Sequence, residues 1–349
     1  MFPAIAYAKE FQQHDPAGSI VFVGTGKSLE GEILGKEGFG FEPITVEGFV
    51  GRGVLGMVRS LILLPKSLWC AIRILRGHHA DLVIGTGGYF SPPVVVAAWL
   101  LNIPRVLLEP NAMPGLANRV LGPLADRIFL AFESAKPYFS SSKVKVIGTP
   151  IRKAFALEHP PVPPQKVSHL LIFGGSQGAR AINSAMLKAV EVSSRLREQV
   201  AITHQTGADD FERVKAGYAQ LGVQVDVRPF LFDMPQDLAK ADLVVCRAGA
   251  STLAELSAYG KVGILIPFPQ ATHNHQEMNA RSMEVAGAAR VLLQSDLTGQ
   301  RLAEEIEQWM SDIPHLQEMA QRSWALRKIH ATEQMVRECL SLMGHSLAS

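Results

Sequence analysis

"HLLIFGGSQGAR" (residues 169–180) decides the fold, because it joins a continuous apolar run to a glycine-rich turn. The apolar run does not alternate with polar residues, which is typical of a parallel strand covered by helices on both faces. A glycine-bearing turn after such a strand is typical of the connection to a helix in an open α/β sheet. The stretch therefore predicts a doubly wound α/β unit.

The same pattern recurs along the chain of 349 residues. Before residue 158 it predicts strands at 19–24, 81–88, 105–109, 127–131 and 143–150. After residue 166 it predicts strands at 169–175, 200–207, 225–230, 243–249, 262–267 and 289–293. Between the two sets lies "EHPPVPPQK" (158–166), whose four prolines cannot continue a helix or a central strand. We therefore expect one domain over 1–157, a linker over 158–166, a second domain over 167–323 and a C-terminal helical segment over 324–349.

Composition excludes several classes of protein. Apolar residues make up 47% of the chain, yet no uninterrupted apolar run reaches the roughly 18–20 residues that span a bilayer. The formal net charge of +2 is too small to predict a nucleic-acid partner. Cys70, Cys246 and Cys339 form no C-x-x-C pair, so neither a disulfide framework nor a zinc knuckle is indicated. The N-terminus also lacks the residue order of a signal peptide, which favours the cytosol or the inner membrane face.

Four predicted strands end in glycine-bearing turns: "GTGGYFSP" (85–92), "GTPIR" (148–152), "FGGSQGAR" (173–180) and "CRAGAST" (246–252). Ligands of open α/β sheets bind beyond the carboxyl ends of the strands, where backbone N–H groups and helix N-termini face an anion. The third turn lacks both G-x-G-x-x-G and the lysine of a P-loop, so neither a nicotinamide cofactor nor a P-loop is predicted. Its small residues would let a diphosphate approach the backbone, with Ser176 and Gln177 as donors. For any single turn, the alternative is a tight connection without a ligand.

The segment "AGASTLAELSAYG" (248–260) predicts a helix with Ser251 or Thr252 as the N-cap. Glu255 then has two interpretations. It is either the far half of a capping box, which the local pattern favours, or a carboxylate that accepts hydrogen bonds from both hydroxyls of a ribose.

A metal site is not predicted. His273 and His275 lie in the loop "PFPQATHNHQEMNA" (267–280), but no third ligand follows at a recognisable spacing. The sequence also contains no Asp-x-Asp pair that could hold Mg²⁺ against a nucleotide diphosphate. If the protein breaks a sugar–diphosphate bond, we expect amides, hydroxyls and an arginine to hold the leaving group.

Residues 52–77 predict a helix with two different faces, in which Pro65 should introduce a kink or a split. One apolar face should pack on the sheet and comprises Leu61, Leu64, Leu68, Ile72 and Leu75. The other face comprises Arg59, Ile62, Lys66, Trp69, Arg73 and Arg76. Cations mixed with isoleucine and tryptophan suit the headgroup zone of an anionic membrane, although a solvated face has the same pattern.

Six motifs occur in one order: "GTGGYFSPP", "EPNAMPGLANR", "GTPIR", "GGSQGAR", "CRAGASTLAEL" and "HNHQEMNA". In this the chain resembles the MurG family from Met1 to about residue 340. Those bacterial enzymes add N-acetylglucosamine (GlcNAc) from UDP-GlcNAc to lipid I, giving lipid II for peptidoglycan. The resemblance implies a GT-B fold, with two Rossmann-like domains and the active site in the cleft between them. It also implies an inverting, cofactor-free and metal-independent transfer by a peripheral protein on the cytoplasmic face of the inner membrane.

The resemblance also implies roles for individual residues. Arg152 and Ser176 should contact the donor diphosphate, the backbone of Leu231 should contact uracil, and Gln276 and Asn111 should contact the sugar. Ribose and phosphate should be held by one continuous segment, Ala250, Ser251, Thr252, Leu253, Ala254 and Glu255. Tyr89 and Glu109 should lie in the acceptor cleft for lipid I. The implied partners are UDP-GlcNAc, lipid I, an anionic membrane surface and other cell-wall synthesis proteins.

The N-terminus departs from the family pattern. The family begins with a strand and a G-G-T-G-G-H loop before a helix like "MFPAIAYA", so the family's histidine, its leading candidate for the base, would precede Met1. In a doubly wound sheet ordered 3-2-1-4-5 the first strand is central, and its loss would leave two neighbours with unpaired backbone groups. We therefore expect that a mis-called start codon has removed about 15–20 residues.

Two alternatives to the transferase stay open at this stage. The absent loop favours a non-catalytic module that binds a UDP-sugar or the membrane and works with a partner chain. Another GT-B enzyme, such as a UDP-GlcNAc epimerase or a transferase for a different lipid acceptor, would also have such donor motifs.

Overall fold

The computed structural model describes residues 2–24, 31, 34–35, 37–44, 53–88 and 90–344, of which residues 2–3, 53–64 and 273 are described by their backbone only. Two compact units divide the chain. Unit 1 comprises Met1–Arg152 and His330–Ser349, and unit 2 comprises Lys153–Ile329.

Unit 1 alternates helices and parallel strands. In chain order these are α1 (Phe2–His14), β1 (Val21–Gly24), β2 (Gly40–Pro43), α2 (Gly53–Gly77), β3 (Val83–Gly85), α3 (Ser91–Leu100), β4 (Arg105–Glu109), α4 (Leu116–Leu121), β5 (Arg127–Leu130) and β6 (Val144–Val146). Within the described residues of unit 1, these strands form two sheets, a pair β1-β2 and a four-stranded sheet in the order β3-β4-β5-β6. Every pairing is parallel.

Unit 2 is a second α/β unit. Its elements are β7 (His169–Phe173), α5 (Arg180–Val192), α6 (Ser194–Gln199), β8 (Ala201–Gln205), α7 (Phe211–Gln220), β9 (Asp226–Arg228), α8 (Met234–Lys240), β10 (Leu243–Cys246), α9 (Ala250–Ala258), β11 (Gly263–Leu265), α10 (His275–Val285), β12 (Ala289–Val291), α11 (Gly299–Ser311) and α12 (Ile313–Ala325). One parallel sheet joins all six strands in the order β12-β11-β10-β7-β8-β9. Its core packs β7, β8, β10 and β11 against α5, α11 and α12.

The last helix, α13 (Ala331–Leu342), belongs to unit 1. The hydroxyl of Thr332 donates to the carbonyl of Ile151 at 3.3 Å. Met335, Val336 and Cys339 are buried in the cluster that also contains residues of β4 and β5. Apolar packing therefore returns the end of the chain to the first sheet. No helix in the described part of the chain has the length and apolarity needed to cross a bilayer.

The division between the units differs from the one expected from the proline-rich segment. Residues 153–166 belong to unit 2, because the Phe155 ring packs edge-on against Tyr259 and Gln317 donates to the carbonyl of Pro164 at 2.8 Å. The chain therefore passes from one unit to the other directly after Arg152.

All eleven strands predicted from the sequence are confirmed, ten of them with shorter bounds, and within the described residues the strand that was missed is β2. Its sequence, "GFEP", has a glycine and a proline at its ends and no apolar run. Pro65 was expected to kink or to split the basic helix; the split is wrong, since α2 continues through that residue, and the kink stays a prediction. A proline removes one backbone hydrogen bond, a loss of about 3 kcal/mol that the helical residues on both sides can offset.

Candidate functional site

Two glycine loops interlock at the carboxyl ends of β7 and β8. Gly178 has a φ of 75°, and a Cβ there would lie 1.8 Å from the carbonyl oxygen of Thr206. Gly207 has a φ of 81°, and its Cβ would lie 2.2 Å from the carbonyl oxygen of Gln177. Only glycine permits this approach of the two backbones. Ser176 and Gln177 lie on the exposed part of the first loop.

A network of buried polar side chains is hydrogen-bonded to the second of these loops, at the carbonyl of Thr206. The ring nitrogens of His204 lie 2.8 Å from the hydroxyl of Tyr218 and 3.1 Å from the side-chain oxygen of Asn183. The Asn183 amide nitrogen donates to the carbonyl of Thr206 at 3.0 Å and to Asp210 at 2.7 Å. This pattern assigns the proton of the imidazole to Nε2, and the Tyr218 hydroxyl then donates to Nδ1. Burial lowers the pKa of His204 to about 3, so the ring is neutral.

The N-terminus of α9 corrects a prediction. The N-cap is Gly249, with φ −68° and ψ 142°, and not Ser251 or Thr252. The helix begins earlier because the N–H of Leu253 already donates to the carbonyl of Gly249 at 3.0 Å. The capping-box interpretation of Glu255 is therefore wrong as well, since that residue lies in the second turn.

As a consequence, the N-cap residue contributes no side-chain hydrogen bond to the first turn of α9. The N–H groups of that turn carry the partial positive charge of the helix N-terminus. Burial, and then the nearby charge of Glu255, raise the pKa of the Cys246 thiol at the end of β10. The carboxylate thus lies beside the turn that joins β10 to α9.

Arg247 has a role that the sequence analysis missed. Its Nη1 donates to the carbonyls of Ile266 and Pro267 at 3.1 and 3.0 Å, and its Nη2 donates to the side chain of Gln294 at 2.6 Å. Burial lowers the pKa of the guanidinium, which also lies 5.4 Å from the ring centroid of Phe268. Arg247 therefore ties the loop after β10 to the loop after β11. The sequence did contain an indication of this role, because Arg247 is a charged residue directly after the buried strand β10.

The loop after β11 is fixed by side-chain amides. The Gln276 side-chain oxygen accepts from the N–H of Phe268 at 3.0 Å, which leaves its amide nitrogen as the donor to a ligand. Buried Asn279 donates to the carbonyl of Ala248 at 3.3 Å. Among the described residues no group of three or more His, Cys, Asp or Glu side chains could hold a metal ion. The side chain of His273 lies outside the described residues.

Leu231 anchors the loop that follows β9. Its side chain is only 5% exposed, between the more exposed rings of Phe230 and Phe232. The Gln205 side chain donates to the carbonyl of Pro229 at 3.2 Å and holds the start of this loop. An inward side chain leaves the backbone of Leu231 as the part that a ligand can contact.

In unit 1, Glu109 organises the loop that follows β4. The side chain is 1% exposed, and its carboxylate accepts hydrogen bonds from four N–H groups. These come from the backbone and side chain of Asn111 at 3.0 and 3.2 Å, the backbone of Gly115 at 2.9 Å and the side chain of Asn118 at 3.0 Å. The geometry gives Glu109 a positioning role. Its direct contact with an acceptor stays a prediction, and Tyr89 lies outside the described residues.

The predicted donor-site residues do not all fall in one unit. Ser176, Gln177, Leu231, Gln276 and the segment 250–255 lie in unit 2, at the carboxyl ends of its strands. Asn111 lies in unit 1, and the exposed Arg152 is the last residue of unit 1 before the boundary.

The second half of α2 carries the predicted basic and aromatic face. Lys66, Trp69, Arg73 and Arg76 are exposed, with Trp69 at 63%, and the Arg73 guanidinium lies 5.8 Å from the Trp69 ring centroid. The opposite side buries Ala71 and Leu75. The side chains of Leu61, Leu64, Arg59 and Ile62 lie outside the described residues. Exposed apolar residues that the sequence analysis missed lie on α3 and α4: Trp99, Leu100, Leu116 and Val120.

Comparisons with known proteins agree with the fold and its two units. Residues 1–130 match the glycosyltransferase family 28 N-terminal domain, and residues 169–335 match the glycosyltransferase family 28 C-terminal domain. Together with the two parallel α/β units, these matches define a glycosyltransferase of the GT-B class and confirm that fold prediction.

Individual relatives indicate which glycosyltransferases of this class the chain is most similar to. The chain is 44% identical to the UDP-N-acetylglucosamine--N-acetylmuramyl-(pentapeptide) pyrophosphoryl-undecaprenol N-acetylglucosamine transferase of Anaeromyxobacter sp. (strain Fw109-5), over 98% of this chain and 90% of that protein. The protein of the same name from Myxococcus xanthus is 42% identical with the same coverage. The crystal structure of Acinetobacter baumannii MurG superposes with a TM-score of 0.79 at 29% identity, over 97% of this chain and 95% of that one. The chain belongs to the MurG family of N-acetylglucosaminyltransferases.

Proposed function

We propose that this protein transfers GlcNAc from UDP-GlcNAc to the 4-hydroxyl of N-acetylmuramic acid (MurNAc) in undecaprenyl-pyrophosphoryl-MurNAc-pentapeptide, which converts lipid I to lipid II. The observation that carries the proposal is the 44% identity, over 98% of the chain, to a transferase named for that donor and acceptor. A putative UDP-N-acetylglucosamine 2-epimerase from Listeria monocytogenes is only 12% identical, and its TM-score of 0.68 reflects the shared fold alone.

The donor binds unit 2 through backbone amides and a few polar side chains. Two anion-binding features support this assignment, the exposed glycine loop after β7 and the uncapped N-terminus of α9. Ser176 and Gln177 donate to the diphosphate, and Glu255 accepts from the ribose hydroxyls. Uracil lies against the backbone at Leu231, while Gln276 donates to the sugar.

The reaction is a direct displacement at the anomeric carbon, with inversion. The acceptor 4-hydroxyl loses its proton to a base as its oxygen forms the new bond, and the bond from the anomeric carbon to the UDP oxygen breaks. Charge then grows on the diphosphate, where the α9 N-terminus, Ser176 and Arg152 stabilise it. Arg247 positions the loops, because its guanidinium donates to two carbonyls and to Gln294.

The acceptor binds unit 1. Glu109 keeps the loop 110–118 in a fixed conformation, and Asn111 within that loop approaches the sugar. This unit docks on the cytoplasmic surface of the inner membrane, where the acceptor is embedded, and the exposed basic and aromatic face of α2 supports this part of the proposal. Lys66, Arg73 and Arg76 attract anionic headgroups, and Trp69 enters the interface.

Donor binding is tested with Glu255→Gln. Loss of a charged acceptor for two ribose hydroxyls should weaken UDP-GlcNAc binding by about 10- to 100-fold, measured by calorimetry. Glu304→Gln is the matched control, because that residue is an exposed carboxylate on α11 of the same unit, and it should bind as the parent does. Equal affinity of all three proteins would refute the assignment of Glu255.

The reaction itself is tested by following the products from UDP-GlcNAc and lipid I in detergent. The proposal expects UDP and lipid II in equal amounts. Conversion of UDP-GlcNAc to its 2-epimer without transfer would support an epimerase, and tight donor binding without any turnover would support the non-catalytic module.

A further inference from the structure

The loop between β9 and α8 (residues 229–233) combines a buried side chain with available backbone groups. Leu231 is only 5% exposed, so its side chain anchors the middle of the loop. Within the described part of the chain, neither the N–H nor the C=O of Leu231 forms a hydrogen bond. The peptide groups of this residue are therefore one donor and one acceptor that a ligand can use.

Gln205, the last residue of β8, holds the start of this loop. The pairing of β8 with β9 ends where the N–H of Thr206 donates to the carbonyl of Arg228 at 3.0 Å. One residue further along, the side chain of Gln205 donates to the carbonyl of Pro229 at 3.2 Å. Proline has no N–H, so this contact identifies the side-chain nitrogen of Gln205 as the donor. The side chain thus adds one hydrogen bond between the two segments after the strands have ended.

This hydrogen bond controls a short and otherwise anchored loop. Gln205 is 2% exposed, so its amide is held inside the fold. Among the described residues, it makes the only side-chain hydrogen bond to residues 229–232. At the far end, the side chain of Asp233 caps α8. Because both ends are fixed, a change at Pro229 reaches Leu231, which lies two residues later.

Uracil and cytosine differ at the edge that the backbone of Leu231 would contact. Uracil has an acceptor at O4 and a donor at N3–H, whereas cytosine has a donor at its 4-amino group and an acceptor at N3. A backbone N–H that faces O4 and a C=O that faces N3–H both pair with uracil. In the same orientation, they place donor against donor and acceptor against acceptor in cytosine. This discrimination requires that the two peptide units cannot rotate to suit the other base.

We propose that Gln205 is a specificity-determining positioning residue, which fixes the backbone of Leu231 for uracil and against cytosine. The inference rests on the proposed function, in which uracil lies at that backbone. Gln205 acts through the Pro229 carbonyl and not by contact with the base. Without this hydrogen bond the peptide units that follow Pro229 rotate more freely. Binding of a uridine nucleotide then weakens, whereas binding of a cytidine nucleotide does not.

Binding of UDP and of CDP to the protein, measured by calorimetry, tests the proposal. The parent should bind UDP at least roughly 100-fold more tightly than CDP. Gln205→Met keeps the length of the side chain but has no N–H to donate. In this variant UDP should bind about tenfold more weakly and CDP should change by less than about twofold, so the preference for UDP falls by at least roughly fivefold.

Three further variants make the test specific. Gln205→Leu also removes the donor and should lower the preference in the same way. Gln220→Met is the matched substitution at an exposed glutamine of α7, and it should bind both nucleotides as the parent does. Glu255→Gln should weaken UDP and CDP by the same factor, because both contain the ribose, and should keep the preference.

Several results would overturn the proposal. A structural role alone predicts a lower melting temperature of the Gln205 variants, with UDP and CDP weakened equally. Failure of both Gln205 variants to fold, while Gln220→Met folds, would have the same meaning. A parent that binds CDP as tightly as UDP would also refute the inference. In all three cases the parent still binds UDP, so the proposed function stands. A parent that binds neither nucleotide would refute the proposed function and this inference with it.

Discussion

The two units contain similar strands in different settings. In unit 2, Leu170, Leu171 and Ile172 of β7 are fully buried between two neighbouring strands. In unit 1, Val21, Phe22 and Val23 of β1 are equally apolar but only half-buried. β1 has β2 on one side, and on the other side it lines a cavity that is also lined by residues of β3. Burial of a strand thus depends on its neighbours as much as on its own composition.

The loops at the carboxyl ends differ as well. Unit 2 brings two backbones together through Gly178 and Gly207, and the side chains of Ser176 and Gln177 are exposed on the first of these loops. Unit 1 fixes its loop through the buried carboxylate of Glu109. The first arrangement suits an anionic diphosphate, since it presents donors. In the second arrangement, the Glu109 carboxylate accepts hydrogen bonds from its own loop and so fixes the conformation of that loop.

The largest effect is expected from Gly178→Ala in unit 2. The added methyl would collide with the Thr206 carbonyl at 1.8 Å in a left-handed backbone, so the two loops must separate. The free energy of unfolding should fall by about 3–5 kcal/mol, and calorimetry should detect no binding of UDP-GlcNAc.

Gly175→Ala is the matched control for that change. Gly175 also has a positive φ, 90°, but its Cβ would meet no atom within 4 Å. Only the backbone strain of about 1–2 kcal/mol should appear. Equal losses in the two variants would show that the approach of the loops is unimportant.

In unit 1, Glu109→Gln should lower the free energy of unfolding by about 2–3 kcal/mol, because a neutral amide replaces a carboxylate that accepts four hydrogen bonds. Denaturant titration measures this loss, and the KM for lipid I should rise. Because Glu109 holds Asn111, which is predicted to contact the donor sugar, the affinity for UDP-GlcNAc should weaken too, by less than in Glu255→Gln. Glu133→Gln, at an exposed ion pair with Lys136, should change stability by less than about 0.5 kcal/mol. An unchanged KM for lipid I in Glu109→Gln would contradict the role of this loop in acceptor binding.

The buried His204 makes unit 2 sensitive to acid. Its folded pKa of about 3 lies below the unfolded value of 6.5, so the unfolded state binds more protons between these values. Stability is therefore fully present above pH 6.5 and decreases as the pH falls towards 3. At about pH 5 the loss should be about 2 kcal/mol.

The difference between the parent and His204→Gln in thermal unfolding isolates this contribution. Other groups, such as His169, whose pKa is also lowered by burial, cancel in the difference. The variant should start less stable and lose less stability between neutral pH and about pH 5. Parallel pH profiles of the two proteins would exclude His204 as the source.

The smallest effect is expected at the membrane surface. Arg73→Gln should weaken binding to vesicles that contain anionic lipid by about 1 kcal/mol, or roughly fivefold, in a sedimentation assay. Lys188→Gln removes an exposed cation from unit 2 and should leave binding unchanged. If both variants lost affinity equally, attraction would be due to net charge and not to α2.

The sequence was sufficient for most strands and for the fold class, because apolar runs without alternation record burial on both faces. Predictions from the sequence failed where a feature depends on residues that are distant in the chain. The N-cap of α9 is Gly249, whereas the sequence analysis placed it at Ser251 or Thr252, two or three residues later. Glycine is also a favoured N-cap residue, so residue type alone did not locate the start of the helix. The roles of Arg247 and Glu109 depend on carbonyls and amides that only the folded loops bring near. The exposure of Trp99 likewise depends on which face of α3 the sheet covers.

A crystal structure of the protein with UDP-GlcNAc would show where the donor binds. Our expectation is that the diphosphate lies within hydrogen-bond distance of Ser176 and of the first-turn N–H groups of α9, with the ribose on Glu255 and uracil at the backbone of Leu231. A nucleotide bound away from these groups, or held through a metal ion that bridges its phosphates, would contradict it.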